Sequence, residues 1–346
     1  MNEKETKRWH LDNDSQNLQN HPSIIESAKL LRQGEVIAFP TETVYGLGAN
    51  ALDPIAIEQI FKAKGRPSDN PLIVHIANRD QLEELVQGIS PVAERLIDAF
   101  WPGPLTLIFD KKGVVANNVT AGLNSVAIRM PNHSVALSLL LAADLPLAAP
   151  SANLSGKPSP TNAEHVWQDL KGKISGVLDG GATGLGLEST VLDLTTSVPT
   201  LYRPGGITQE EIESVIGPIH LDPALKVEKE KPKSPGMKYT HYAPSADLFL
   251  VRNRQDIPYH IEKAQKEGRR VGVLTVDEHS HDYGADVVIS CGTNQNLKTV
   301  AQQLYGTLRR FDQEEVDVIF SETFLEEGLG KAIMNRLDKA AAKRYL

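Results

Sequence analysis

A short apolar run, Val36–Phe39, ends abruptly in the polar sequence PTETVYGLGAN, which begins at Pro40. Four apolar residues bounded by turn-forming residues are typical of a buried strand. The sequence after the run supplies hydroxyls, a carboxylate and glycines that leave the backbone accessible. In open α/β sheets, ligands bind beyond the carboxyl ends of the strands. The run therefore predicts a buried sheet with a polar ligand site at the end of one strand.

Apolar runs alternate with helix signals along the rest of the chain. This order predicts an α/β sheet with some antiparallel members. A second βα pattern begins at Asp247 and predicts a smaller, parallel, Rossmann-like sheet. No GxGxxG sequence follows its first strand, so we do not predict dinucleotide binding there. The predicted strands include Leu72–Ile76, Leu105–Phe109, Val126–Met130, Val191–Leu194, Val271–Val276 and Val316–Phe320.

The composition changes sharply after Ile219, where the charged sequence KVEKEKPK indicates a linker. The next segment, SPGMKYTHYAP, carries methionine and aromatic residues that suit a groove better than a free linker. The N-terminal arm is either loose or an edge element placed by tertiary contacts. We predict this arm at 1–20, a catalytic domain at 21–220, an interdomain linker or lid at 221–244 and an accessory domain at 245–346.

Charge and cysteine content limit the function classes. The net charge of −8 argues against broad nucleic-acid binding, although a local basic cleft stays compatible with it. One cysteine, Cys291, excludes an intramolecular disulfide and a cysteine-rich zinc site. No run of about 20 apolar residues is present, and the polar N-terminus lacks the apolar part of a secretory signal. We expect a cytoplasmic protein without a membrane partner, and the spacing of His, Asp and Glu predicts no metal site.

Three cations, Lys62, Lys64 and Arg66, lie at the end of a predicted helix that stops at Gly65. Basic residues at that place can simply offset the helix dipole. The sequence Gly65-Arg66-Pro67 also fixes a loop that points outward. From this loop Lys64, as a point charge, and Arg66, as a planar fork, can neutralise phosphates. Lys64 and Arg66 are therefore the candidate catalytic residues.

Polar side chains also end two predicted strands and fill a loop rich in proline and glycine. His75 is either a structural histidine or a ligand at a strand tip, and Arg129 would be costly to bury unless it met an anion. Ser151, Asn153 and Ser159 serve as ordinary turn residues or allow backbone N–H groups to approach phosphates. The sequence GxxxxGK[ST] is absent, which disfavours a P-loop ATPase.

Six sequences, taken in order, resemble the YrdC-type domain of the L-threonylcarbamoyladenylate synthases: PTETVYGLG, KAKGRPSDNPLIVHI, SVAIRMP, PSANLSGKPSPT, LESTV and YRPGG. SPGMKYTHYAP and the domain after it are similar to the long, two-domain branch of that family. The resemblance implies a YrdC-like twisted mixed β-sheet with flanking helices, followed by the Rossmann-like accessory domain. It also implies that L-threonine, bicarbonate or CO2, and ATP give threonylcarbamoyl-AMP and pyrophosphate. That product serves the threonylcarbamoyl modification of adenosine next to the tRNA anticodon.

The same resemblance implies two sets of binding residues. L-Threonine would be held by Thr41, Arg66, His75, Arg129, Ala149 and Ser189. ATP would be held by Lys64, Ser68, Ser125, Ser151, Asn153, Ser159 and Arg203, with Tyr239 or Tyr242 folding over the site from the interdomain segment. Mg2+ would arrive on ATP without a dedicated protein site. A transient contact with the downstream threonylcarbamoyl transferase machinery stays open.

The reaction requires cations next to two anionic substrates, and the sequence supplies candidate cations. A carbamate must approach the α-phosphate of ATP, and two anions meet only where cations screen them. Lys64, Arg66 and Arg203 are the cations that we expect to do so. The carbamate and the acyl adenylate both hydrolyse readily, so we expect a segment that closes over the site and excludes water. His75 is a candidate general base, or it only binds.

Two other functions fit parts of the sequence. A YrdC-like domain has a concave basic face, so the chain could be an RNA-binding module without catalysis, although its acidic overall charge weighs against this. Carbamoyl transfer in hydrogenase maturation is the second alternative. The proteins that perform it carry cysteine-rich zinc modules, and a single cysteine argues against that function.

Overall fold

Residues 4–12, 17–225 and 242–346 are described by the computed structural model. Within these ranges the chain forms two units. The first comprises the described residues of 4–155, 160–184 and 188–225, and the second those of 156–159, 185–187 and 242–346. Most of the predicted linker, 226–241, lies outside the described residues, so its role as a lid stays a prediction.

The first unit alternates strands and helices, as the sequence predicts. Its strands are β1 Lys7–His10, β2 Ile37–Phe39, β3 Gly46–Asn50, β4 Ile73–His75, β5 Leu105–Asp110, β6 Ser125–Arg129, β7 Leu147–Ala148, β8 Gly176–Asp179, β9 Thr190–Asp193, β10 Thr200–Arg203 and β11 His220–Leu221. Its helices are α1 Pro22–Arg32, α2 Pro54–Lys64, α3 Arg79–Leu85, α4 Pro91–Phe100, α5 Ser134–Ala143, α6 Ala163–Leu170 and α7 Gln209–Ile216.

These strands form one mixed sheet, in the order β1-β8-β2-β3-β7-β4-β6-β5-β9-β10-β11. Parallel pairs such as β4 with β6 alternate with antiparallel pairs such as β5 with β6. Successive residues of a strand face opposite sides of a sheet. Accordingly, Ile37 and Phe39 join an apolar cluster with α1 and α5, whereas Ala38 joins a larger cluster with α2, α3, α4, α6 and α7. The prediction of a mixed α/β sheet with flanking helices is confirmed.

The N-terminal strand β1 is an edge element, which is one of the two alternatives for the arm. It pairs in parallel with β8, with Trp9 opposite Leu178. The indole of Trp9 covers Gly176, where an added Cβ would lie 2.1 Å from its ring. The Arg8 guanidinium donates to Asp179 at 2.9 Å. A loose arm is therefore wrong for residues 4–12, because these contacts fix β1 in the sheet.

Helix α2 begins and ends where its sequence signals predict. The Asp53 carboxylate accepts a hydrogen bond from the N–H of Ile55 at 2.9 Å, and Pro54 occupies the first turn. Gly65 ends the helix with a φ of 62°, a left-handed conformation that glycine adopts at little cost. Lys64 is thus the last helical residue, and Arg66 lies in the loop beyond.

The second unit holds a separate, fully parallel sheet of four strands in the order β12-β15-β13-β14. This arrangement confirms the predicted smaller, Rossmann-like parallel sheet. Among the described residues, no helix is both long and apolar enough to span a bilayer. The strands are β12 Asp247–Val251, β13 Val271–Thr275, β14 Val287–Ser290 and β15 Val318–Glu322, and the helices are α8 Ile257–Lys266, α9 Leu297–Gln313 and α10 Leu329–Ala340.

Candidate active site

A row of polar side chains crosses the middle of the large sheet. His75 on β4 lies opposite Arg129 on β6. Strands β6 and β5 are antiparallel with Ile128 opposite Leu107, so their register puts Thr106 opposite Arg129. On the next strand, β9, Val191 lies opposite Thr106, and on β10 Arg203 lies opposite Val191. Neighbouring strands are about 4.8 Å apart, so these residues form one row, in which the apolar Val191 separates Thr106 from Arg203. We call His75, Arg129, Thr106 and Arg203 the polar row.

The polar row lies at one edge of the sheet, because His75, Arg129 and Arg203 are the last residues of β4, β6 and β10, and these three strands run in the same direction. Strand β2 is antiparallel to β3, β3 to β7, and β7 to β4, so β2 and β4 run in opposite directions. Thr41 and His75 therefore follow strands that end at opposite edges. They belong to one site because the Phe39 ring, next to Thr41, meets the His75 ring edge-on at 6.1 Å. The expectation of a polar site at the carboxyl end of a strand stays a prediction, although Thr41 follows a strand that ends at the other edge.

Arg129 is the centre of a buried hydrogen-bond network. Its side chain is 4% exposed, and its Nη1 donates to Thr43 Oγ1 at 2.9 Å. The Thr43 hydroxyl lies 2.8 Å from Thr41 Oγ1, and the Thr41 hydroxyl donates to the Val44 carbonyl at 2.6 Å. Arg129 Nη2 forms an ion pair with Glu42 Oε2 at 2.5 Å. The structure therefore brings the predicted residues Thr41, His75 and Arg129 together.

His75 is neutral at physiological pH. Burial, together with the charge of Arg129, lowers the pKa of its imidazole to about 3. Its Nδ1 lies 3.2 Å from the Ile73 carbonyl oxygen. A group that holds a proton only below pH 3 is a weak base. This environment favours a binding role for His75 over the predicted alternative of general base.

Lys64 connects the end of α2 to the serine-rich loop. Its side chain is buried, and its ammonium donates to the carbonyls of Ser151 at 2.5 Å and Asn153 at 2.7 Å. In return, the Ser155 N–H donates to the Lys64 carbonyl at 2.9 Å. The structure thus brings Lys64, Ser151 and Asn153 together, as predicted. Because the ammonium donates to two of its carbonyls, Lys64 stabilises the conformation of the serine-rich loop.

Arg66 and Ser68 line a cavity of about 420 Å³ beyond the end of α2. Lys62, Glu58 and Asn118 line the same cavity. Two of these five side chains are cations. The cavity therefore offers positive charge next to the segment that was predicted to bind phosphates.

Arg203 and Ser189 contact each other at the other end of the polar row. Arg203 Nε donates to the Ser189 carbonyl at 3.0 Å, and its Nη2 donates to Ser189 Oγ at 3.1 Å. Ser189 Oγ lies 2.7 Å from Thr106 Oγ1. A Cβ on Gly205 would lie 2.4 Å from the Ser189 carbonyl carbon, so only glycine fits there. A residue predicted for ATP and one predicted for threonine are therefore direct neighbours.

The other predicted site residues lie in different places. Ala149 is buried next to β4 and donates its N–H to the Ile73 carbonyl at 2.9 Å. Ser125 begins β6, whose last residue is Arg129, so the two lie about 13 Å apart along the strand. Ser159 is buried in the short segment that belongs to the second unit.

The two tyrosines predicted to cover the nucleotide differ in what the structure says of them. Tyr242 belongs to the second unit, is 5% exposed, and packs on the ring of Tyr305 at 5.1 Å between centroids. The Arg336 guanidinium lies 5.9 Å from the Tyr242 ring. Tyr239 lies outside the described residues. The assignment of these tyrosines to ATP stays a prediction.

Sequence reasoning missed three residues of the network: Glu42, Thr43 and Thr106. The first two belong to PTETVYGLG, the sequence that pointed to the site, but only Thr41 was selected from it. Thr106 lies inside an apolar strand, and its pairing with Ser189 depends on strand order, which no local pattern gives. Among the described residues, no group of three or more His, Cys, Asp or Glu side chains is placed to hold a metal ion.

The mixed sheet with flanking helices defines a mixed α/β protein, and its row of buried cations and hydroxyls is the candidate site. Residues 29–205 match the Sua5, YciO and YrdC family model, described as "Telomere recombination". Residues 207–342 match the model described as "Threonylcarbamoyl-AMP synthase, C-terminal domain". The chain therefore belongs to the threonylcarbamoyl-AMP synthase family, in its two-domain branch, as the resemblance implied.

Similar proteins extend this finding over the whole chain. The threonylcarbamoyl-AMP synthase of Bacillus subtilis is 56% identical over 343 residues, which are 99% of each chain. That of Pyrococcus abyssi is 51% identical over 326 residues, 92% of this chain and 94% of its own. The structure of P. abyssi Sua5 complexed with L-threonine is 48% identical, with a TM-score of 0.90, and covers 99% of this chain and 98% of its own. The chain is an enzyme of the nucleotidyltransferase type.

Proposed function

We propose that this enzyme makes L-threonylcarbamoyladenylate and pyrophosphate from L-threonine, bicarbonate or CO2, and ATP. The product would serve the threonylcarbamoyl modification of adenosine next to the tRNA anticodon, in the cytoplasm. The observation that carries the proposal is the polar row, in which Arg129 and Arg203 are both buried, at 3% and 4% exposure. Buried guanidinium groups are costly unless anions or acceptors meet them.

The two halves of the row would serve different substrates. Threonine would lie near Arg129, Thr41 and His75, since the relative that was crystallised with L-threonine shares the fold over nearly its whole length. The ATP phosphates would lie near Arg203 and the cavity beside Arg66. Ser189 contacts Arg203 and Thr106, so it lies where the two substrates would meet.

The reaction then has two steps. The free amine of threonine and bicarbonate give a carbamate and water. A carbamate oxygen attacks the α-phosphorus of ATP, the bond from that phosphorus to the oxygen bridging to the β-phosphate breaks, and pyrophosphate leaves with that oxygen and the electron pair. The Mg2+ that ATP carries would neutralise part of the charge on the leaving group. The protein's own contribution is to hold the two anions in line and to screen them with Arg66, Arg129 and Arg203.

Lys64 acts in this scheme mainly through the loop that it holds. Because its ammonium is bound to carbonyls of Ser151 and Asn153, it fixes the backbone that would face the phosphates. Both Lys64→Ala and Arg66→Ala are expected to abolish adenylate formation. Arg66→Ala should leave the stability of the fold nearly unchanged.

A pyrophosphate-release assay in bicarbonate buffer tests the proposal. Release should require ATP and L-threonine together, should fall strongly with serine, and should be absent without an amino acid. Equal release with and without threonine would contradict the proposed substrate. Tight binding of RNA without any pyrophosphate release would instead favour the RNA-binding alternative.

A further inference from the structure

Glu42 lies between Thr41 and Thr43 and has no part in the function proposed so far. Its side chain is 16% exposed, and one of its carboxylate oxygens, Oε2, pairs with Arg129 Nη2. The other oxygen, Oε1, is buried and has no hydrogen-bond partner among the described residues. Within the same described ranges, Arg129 Nε also lacks a partner. The ion pair therefore leaves one acceptor and one donor unused.

The ion pair of Glu42 and Arg129 makes fewer hydrogen bonds than its groups allow. Arginine and carboxylate groups frequently form two parallel hydrogen bonds, whereas here they share one. Buried polar atoms are nearly always paired in folded proteins. The terminal torsion of a glutamate is soft, so either carboxylate oxygen can turn toward a ligand. The network thus suits a ligand that brings an acceptor for Arg129 and a donor for Glu42.

An α-amino acid carries both groups on one carbon atom. Its carboxylate can accept from Arg129, and its ammonium can donate to Glu42. The charges of the site then alternate and sum to zero, because Arg129 and Glu42 already balance each other. A carboxylate without an ammonium group would leave one negative charge in excess.

We propose that Glu42 binds the ammonium group of the amino acid substrate and thereby makes binding depend on that group. This inference rests on the proposed function, since it assumes that the amino acid lies at Arg129. It adds a specificity-determining residue to the site. His75 cannot replace Glu42 in this role, because a neutral imidazole next to Arg129 carries no negative charge.

A simpler role for Glu42 is to hold Arg129 in place. The two roles differ in what happens to ligands that lack one charged group. If Glu42 only positions Arg129, its loss weakens every carboxylate ligand by the same factor. If Glu42 binds the ammonium, its loss weakens the ligands that carry an ammonium group and spares a carboxylate without one.

The test is calorimetric titration of the full chain with L-threonine, 3-hydroxybutanoate, which lacks the amine, and 1-amino-2-propanol, which lacks the carboxylate. The wild type should bind threonine at least about tenfold more tightly than 3-hydroxybutanoate. In Glu42→Gln, threonine binding should weaken at least about tenfold, whereas 3-hydroxybutanoate should bind equally or better. Glu94→Gln is the matched control, because the Glu94 carboxylate pairs with Arg79 on the surface.

Equal weakening of threonine and 3-hydroxybutanoate in Glu42→Gln would overturn the inference and leave a positioning role. Unchanged binding of both would overturn it as well. Thermal unfolding shows whether the variant is folded. If it is not, the wild-type comparison decides, since equal affinity for threonine and 3-hydroxybutanoate is incompatible with ammonium recognition. A wild type that binds neither ligand would refute the threonine assignment itself.

Discussion

The hydrogen bonds of Lys64 illustrate how a buried cation can act on a site through the backbone. Its residue type and its place at the end of α2 were predictable from the sequence. Its acceptors were not, because they are carbonyls of a loop almost 90 residues further along the chain. The local sequence pattern thus predicted a cation at this position but could not predict which groups its ammonium would contact.

Replacing Lys64 by methionine is expected to lower the free energy of unfolding by about 1–3 kcal/mol, because two buried carbonyls lose their donor. Chemical denaturation followed by circular dichroism measures this change. Lys62→Met, two residues earlier in the same helix and exposed, should change stability by less than about 0.5 kcal/mol. Equal stability of the two variants would show that the Lys64 contacts contribute nothing.

His75 gives the protein a predictable response to acid. The pKa of its imidazole is about 3 in the folded protein, below its ordinary value of 6.5. Between these values the unfolded chain binds a proton that the folded protein does not, so stability falls as the pH decreases. The contribution of His75 is up to about 1.4 kcal/mol per pH unit. It is absent above pH 6.5.

Urea denaturation of the wild type and of His75→Asn at several pH values between 4 and 7 measures this contribution. The free energy of unfolding of the variant should depend less steeply on pH than that of the wild type. Parallel curves would contradict the low pKa. The difference between the two curves matters here, since carboxylates elsewhere also titrate in this range.

At the scale of the elements, the sequence predicted most strands and helices but not how the strands are joined. Capping residues and apolar runs are local signals, and they placed α2, β4 and β6 well. The direction of β2 relative to β4 depends on two intervening strands, one of which has only two residues. The sequence therefore could not show that β2 and β4 end at opposite edges of the sheet.

A substitution of Gly65 tests how much the stability of the end of α2 depends on the left-handed backbone conformation of this residue. Gly65→Ala should cost about 1 kcal/mol, because alanine is disfavoured at a positive φ. No atom lies within 4 Å of the added Cβ, so the cost is purely conformational. Gly88→Ala is the matched control, since its surroundings are equally open and its φ is not positive. Similar thermal midpoints for both variants would contradict this explanation.

At the scale of the whole molecule, the sequence predicted two domains and their classes. It did not decide whether residues 4–12 belong to the first of them. Their sequence is polar, and a four-residue edge strand gives little periodic signal. Its pairing with β8 and the contact of Trp9 with Gly176 make the arm part of the sheet.

A double-mutant cycle between Trp9 and Gly176 tests this attachment. Gly176→Ala should destabilise the wild type by about 1–3 kcal/mol, because the methyl group collides with the indole. In a Trp9→Ala background the same change should cost clearly less, which gives a measurable coupling energy. Gly113→Ala, in open space, serves as the control. Additive effects would mean that β1 is not bound to the sheet in solution.

The single cysteine of the chain offers a way to observe one unit at a time. Cys291 is fully buried at the end of β14, and burial raises the pKa of its thiol to about 12. Since the thiolate is the reactive form, a disulfide reagent near pH 8 should modify it only after local opening exposes it. The modification rate therefore reports local opening of the C-terminal unit. The N-terminal unit has no cysteine and does not contribute to the signal. A change of that rate on adding threonine would measure energetic communication within the enzyme without any engineered label.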